Sequence, residues 1–297
     1  MSGFFSFLAK VFLALFCTQI FLGYGLDWIH QNSFYFKPAR LTNDLNWKGA
    51  DILILGSSRA LTSFDSNEIS KRLEKKVVNL SIHDTGPDIH LLMLKYALEC
   101  GNKPELVILQ YDHNLANLKE SSLHEMDYLF LPLISKSEVI RQYFKNKLGQ
   151  WFVSFQYVFP IWKYAYWNTE LVFTIPQMLY KPTMTYRSDA LGDYDYPSES
   201  TDLPPCNADD IAVSKIKMDA VFQTDLSQKI NSLNAKLLIV TAPTFNFSYD
   251  VLGGENYINA STWFNCQSEC FYDPIHLNRQ GKEKFTGRFL DTFERNY

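Results

Sequence analysis

Gly56-Ser57-Ser58-Arg59 stands directly after the apolar run Asp51-Ile-Leu-Ile-Leu55, and Asp273-Pro-Ile-His276-Leu-Asn278 stands near the other end of the chain. A serine hydroxyl becomes an effective nucleophile when a base takes its proton, and histidine is the usual base near neutral pH. The histidine needs an acceptor at its other ring nitrogen. An aspartate three residues earlier, in a tight loop, supplies one locally. Ser58, His276 and Asp273 are therefore the candidate nucleophile, base and orienting acid, with Ser57 as the alternative nucleophile. Either block alone is ordinary: Gly and Ser are common in strand–helix turns, and Asp and His are common in exposed loops. Their order in the chain gives them joint weight.

The elements that must position them read as follows. Residues 51–56 form a short apolar run ended by glycine, the pattern of a buried parallel strand. A helix capped by Asp65 or Ser66 runs to about Lys76, and 77–82 is a second strand. Pro87 opens a second helix that Gly101 ends, and 106–111 is a third strand. Strand and helix alternating at this spacing argue a parallel sheet with helices on both faces, a three-layer α/β/α, flavodoxin-like fold. From about 113 to 205 the pattern gives way to loops and irregular helices. It resumes with a helix over about 211–234, a strand over 237–242, and a last helix from about Arg279, capped by Asn278 and striped by Phe285, Phe289 and Phe293. The expected organisation is an anchor over 1–27 and one domain over 28–297, with an insertion at about 115–205.

The serine after the first strand and the Asp-x-x-His before the last helix resemble the SGNH, or GDSL-like, hydrolase superfamily. The resemblance covers roughly residues 50–114 and 235–295. It implies a serine esterase or acyltransferase with Ser58, Asp273 and His276 as its triad. Family members often carry Asn-x-x-x-x-Gly after the second strand, with the glycine N–H as an oxyanion donor. Here Asn79 is followed at that spacing by Asp84, whose backbone N–H takes that role, with its carboxylate expected to point away. In place of the family's Gly-x-Asn-Asp stands Tyr111-Asp112-His113-Asn114, which makes Asn114 the second candidate donor. The Gly-Ser-Ser start, together with an N-terminal anchor, resembles the SGNH-like proteins of teichoic acid and alginate acylation. These work outside the membrane beside a polytopic acyltransferase.

Residues Gly3–Leu26 form one apolar stretch interrupted by Lys10 and Gln19, and a spanning helix needs about 20 such residues. The expectation is a single-pass anchor with the domain on the extracytoplasmic side. The rival is a cleaved signal peptide with Gly23 and Gly25 before the cut. Cys266 and Cys270 can pair with each other in an oxidising compartment, or either can pair with Cys206. No second Cys/His pair at zinc spacing accompanies them, so no metal and no cofactor are expected. A net charge of -4 without a basic stripe gives no support for nucleic-acid binding. About a dozen aromatics between Trp151 and Tyr186 read as core, as a membrane-facing patch or as glycan-stacking groups. Two functions follow: an esterase or acyltransferase acting on acyl groups, O-acetyl foremost, of a cell-surface glycan or other acylated polymer, or a non-catalytic scaffold beside a membrane acyltransferase.

Overall fold

In the computed structural model the described residues are 2–111, 126–165, 169–185, 188–197, 202–207, 211, 213–218, 220–252 and 256–296. They divide into two compact units, Met1–Asp44 with Asp127–Tyr186 and Leu45–Met126 with Arg187–Tyr297.

The second unit is α/β. Its main sheet holds β1 (Ile52–Leu55), β2 (Val77–Asn79), β3 (Leu106–Gln110), β5 (Lys236–Thr241) and β7 (Tyr257–Asn259), in the order β2-β1-β3-β5-β7, and each adjacent pair is parallel. β1 is central, with Leu53 opposite Val78 on one side and Val107 on the other. Ile52 and Ile54, alternating along β1, belong to a core cluster with Phe64, Phe245, Phe271, Phe285 and Phe289. The predicted phenylalanine stripe on the last helix, Arg279–Asn296, supplies the heart of it: the rings of Phe285 and Phe289 meet Phe64 edge-on at 5.2 and 5.3 Å.

Local chemistry explains most boundaries. Asp65 caps the helix Ser66–Leu73 by accepting from Glu68 N–H, and Glu74 ends it in the left-handed conformation. Pro87 opens Pro87–Glu99. The helix expected over 211–234 is corrected: Val213–Lys217 is a strand, β4, pairing in parallel with β6 (Ser248–Leu252) in a separate two-stranded sheet, and the helix occupies only Ala220–Ser232. Val213-Ser-Lys-Ile-Lys fits either state locally, and pairing with β6 decides it. β6 and β7 are strands beyond those that the sequence pattern predicts.

The first unit is helical. One helix, Ser2–Gln31, contains a stretch, Gly3–Gln31, that is long enough to cross a membrane and whose most apolar 18-residue window has a mean hydropathy of 2.0. Among the described residues it packs against Lys37–Asn43, Asp127–Leu133, Trp162–Ala165 and Ile175–Tyr180, and the unit also holds the helices Glu138–Leu148, Gln150–Val158 and Thr169–Phe173. Gly23 lies against the backbone of Pro160 and Ile161, where an added Cβ would come within 2.6 Å of a backbone carbon. Asp27 is buried, with Lys163 Nζ at 2.5 Å and Tyr164 hydroxyl at 2.7 Å.

Candidate active site

Ser58 opens a short helix, Ser58–Ser63, at the carboxyl end of β1. Gly56 makes the turn possible, because a Cβ there would meet Ala60 Cβ at 2.6 Å and Gln110 at 3.1 Å. Ser57 is the N-cap residue and its carbonyl accepts from Ala60 and Leu61 N–H. That leaves Ser58 as the first helical residue, with its own N–H among those that have no intrahelical acceptor.

The second half of the site is a self-bonded turn. Asp273 Oδ1 accepts from the backbone N–H groups of Ile275 and His276 at 2.9 Å each, and Oδ2 faces His276 Nδ1 at 2.8 Å. Tyr272 N–H donates to the carbonyl of His276, and Phe271 bridges Leu277. Asn278 caps the last helix through Gly281 N–H and ties the turn backwards, its amide donating to the carbonyls of Glu269 and Phe271. Gly281 admits no side chain: a Cβ would stand 1.9 Å from the carbonyl oxygen of Cys270.

These two halves meet. His276 Nε2 lies 2.8 Å from Ser58 Oγ, so serine, imidazole and carboxylate form one line of hydrogen-bond contacts. Burial opposes ionisation of Asp273, but the bonds from His276 and Ile275 outweigh it and hold the carboxyl below its ordinary value. With Asp273 accepting at Nδ1–H, the neutral imidazole presents Nε2 to the hydroxyl as an acceptor, the tautomer a general base requires.

Arg59 was unremarked in the sequence, and the structure gives it a prominent place. It is 2% exposed. Its guanidinium donates to the carbonyls of Ile275, Ala242 and Pro243 and to the hydroxyls of Thr244 and Tyr249. One side chain thus joins the serine turn, the end of β5 and the His276 turn. Its sequence signal is a cation close after a buried strand, between Ser58 and the apolar pair Ala60-Leu61.

An aromatic wall lies beside the imidazole. The Tyr196 ring centroid is 5.2 Å from that of His276, and Tyr196 stacks on Tyr272 at 4.2 Å. The segment carrying Tyr196 is docked through Asp193 and Asp195. Asp193 Oδ2 accepts from Ser66 N–H, Oδ1 accepts from Asn79 Nδ2, and Lys282 binds Asp195 at 2.7 Å. Complete burial raises the Asp193 carboxyl to about 6, against the pull of Lys282. Asn79 is thereby a structural residue here, its amide also donating to Ala60 carbonyl.

The candidate oxyanion donors fare differently. Asp84 has φ 53°, the left-handed conformation in which glycine is most at ease, and its side chain is exposed. Nothing bonds it to Ser58 or His276. Asn114, with His113 and Asp112, lies outside the described residues. The disulfide is Cys206–Cys266, with Cα atoms 5.3 Å apart, while Cys270 is buried as a free thiol beside Lys284. Among the described residues no three His, Cys, Asp or Glu side chains gather as a metal site. A cavity of about 420 Å³ lies away from the triad, at the amino ends of the strands between Leu73, Leu106, Lys236 and Phe293.

No protein-family model matches the chain, and no curated protein matches it in sequence.

Proposed function

We propose that this chain is a membrane-anchored, SGNH-type serine esterase or O-acyltransferase, working outside the membrane on the acyl groups of a cell-surface glycan. The observation that carries the reading is the line Ser58 Oγ–His276 Nε2, His276 Nδ1–Asp273 Oδ2, with 2.8 Å at both contacts. Those distances lie within the reach expected of a nucleophile, its base and the base's orienting group.

In this mechanism Ser58 Oγ attacks the acyl carbonyl while its proton passes to His276 Nε2. Asp273 stabilises the imidazolium. The tetrahedral oxyanion is received by the Ser58 N–H at the helix start, with the backbone at Asp84 and the Asn114 side chain as further donors. Collapse expels the alcohol, which leaves with the proton from His276, and an acyl-serine remains. A glycan hydroxyl or water, deprotonated by His276, then takes the acyl group and restores Ser58. Transfer and hydrolysis differ only in that second nucleophile.

The fold supports the same reading. Counted within the main sheet, the strand order 2-1-3-4-5 supports a flavodoxin-like reading, in which ligands bind beyond the carboxyl ends of the strands. All four residues of β1 are buried, as in a three-layer arrangement with both sheet faces covered. Packing of Gly23 on Pro160 and of Asp27 on Lys163 favours retention of the N-terminal helix as an anchor over its removal as a signal peptide. A polytopic acyltransferase delivering acyl groups across the membrane is the partner this arrangement suits.

The test is labelling of the full chain in detergent by a fluorophosphonate, with hydrolysis of p-nitrophenyl acetate as a second readout. The expected result is labelling of wild type and none of Ser58→Ala. Silence of the folded wild type in both assays overturns the catalytic reading in favour of a scaffold for a membrane acyltransferase.

A further inference from the structure

Helix Gln150–Val158 exposes apolar side chains on the side away from its packing. Trp151, Phe155 and Val158 recur at the i, i+4, i+7 spacing of one helix face and are 89%, 38% and 47% exposed, whereas Val153 and Gln156 on the other side are buried. No charged residue occurs from 150 to 162. An uncharged run of this length is too short to span a bilayer; it is the length of a core helix or of a segment lying at the membrane surface. An exposed Trp151 rules out the core.

This face continues into the apolar helix Ser2–Gln31. A chain of ring contacts runs Phe12–Phe16–Phe159–Phe155–Trp162, with the Phe16–Phe159 centroids 5.8 Å apart and Phe155–Trp162 at 5.5 Å. Gln19 interrupts the apolar run of that helix, and its side-chain amide donates to Val158 carbonyl at 2.9 Å. Val158 O is among the last carbonyls of its own helix, which have no intrahelical partner. An N–H of Gln19 and the Val158 carbonyl, each costly to leave unpaired in hydrocarbon, thus pair with one another.

Depth follows from helix geometry. Gly3–Gln31 has 29 residues. At about 1.5 Å per residue the helix is longer than the roughly 30 Å hydrocarbon layer, so it must emerge before its end. The buried Asp27–Lys163 pair marks the emerged part. Residues 16–24, which touch 157–161, precede it and lie in the apolar run whether Lys10 sits in the headgroups or snorkels to them.

We propose that residues 150–162 are a second membrane contact, a helix lying in the interfacial layer of the bilayer with Trp151, Phe155 and Val158 against lipid and Trp162 at its edge. The inference rests on reading Ser2–Gln31 as a membrane anchor. It adds that the insertion is held to the bilayer surface by aromatic and aliphatic burial of the kind that interfacial helices use.

The full chain reconstituted in phosphatidylcholine–phosphatidylglycerol vesicles, with and without acyl-brominated phosphatidylcholine, tests it through tryptophan quenching. Bromolipid quenching is expected in wild type, with a clear loss of the quenched fraction in Trp151→Phe. The exposed-face variant carrying Trp151→Glu and Phe155→Glu should lose quenching of Trp162 while the protein still resists carbonate extraction. Quenching unchanged by Trp151→Phe, in protein that resists carbonate, overturns the proposal and leaves a protein partner as what covers the face. Release by carbonate overturns the anchor reading and this proposal with it. None of these readouts uses activity, so the catalytic reading stands or falls separately.

Discussion

The guanidinium of Arg59 donates to the carbonyl of Ile275 at 3.2 Å, so the residue after the proposed nucleophile is bonded to the residue before the proposed base. Arg59 is a positioning residue in this arrangement. Lysine cannot reproduce its fork of donors. Arg59→Lys is therefore expected to lower kcat for p-nitrophenyl acetate by about 10²-fold with little change in KM, since a small misplacement of reacting groups is enough for that loss. A kcat within twofold of wild type would remove Arg59 from the positioning role.

Removing the triad members should separate their roles. Ser58→Ala and His276→Ala are expected to abolish labelling and turnover. Asp273→Asn keeps the turn but presents the wrong tautomer, and its kcat should fall by about 10⁴-fold. Steady-state kinetics alongside circular dichroism checks this. Full activity of Ser58→Ala would move the nucleophile to Ser57.

The carboxyl groups make opposite statements about pH. Asp273 is held below its ordinary value in the fold. The stability it contributes is present above its unfolded value and is lost as pH falls through the folded one. Asp193 is raised from 3.8 to about 6. Between those values the folded state binds more protons at this site than the unfolded state, so stability from this site falls as pH rises and the full cost stands above about 6. Measured as Tm against pH, the difference between Asp193→Asn and wild type should shift in favour of the variant from pH 4 to above 6. A flat difference contradicts the assignment.

Gly281→Ala places a methyl 1.9 Å from Cys270 carbonyl oxygen, against backbone rather than a yielding side chain. Overpacking of this kind costs about 1–3 kcal/mol, occasionally more. Urea denaturation should register it, and activity should fall with it because the last helix begins only two residues before Gly281, at the His276 turn's exit through Asn278 and Arg279. The half-buried Gly287, on the same helix with open space where a Cβ would stand, is the control: Gly287→Ala should be neutral or mildly stabilising.

Legibility in the sequence followed how local each interaction is. The Asp273–His276 pair is contained in four residues, so its type and spacing could be read directly. Gly56, Pro87, Asp65 and Asn278 mark their elements through local backbone chemistry, and the long apolar strands β1, β3 and β5 stand out by composition. What was not legible depends on distant partners. β7 has three residues and owes its identity to pairing with β5. β4 reads locally as the start of a helix because its partner β6 lies about thirty residues on. Arg59 and Tyr196 acquire their places from contacts with residues far along the chain, Ile275 and His276. The cysteine pairing was open among three residues until the fold brought Cys206 and Cys266 together.

That bridge has a consequence for handling the protein. Cys206 and Cys266 are separated by 60 residues, and the chain between them carries β4 to β7 and the helix Ala220–Ser232. A protease that cuts anywhere inside this covalent ring leaves the two ends tied through sulfur. The nicked molecule therefore migrates as one chain until a thiol reductant is added, and a non-reducing gel alone will report an intact protein that is already cleaved.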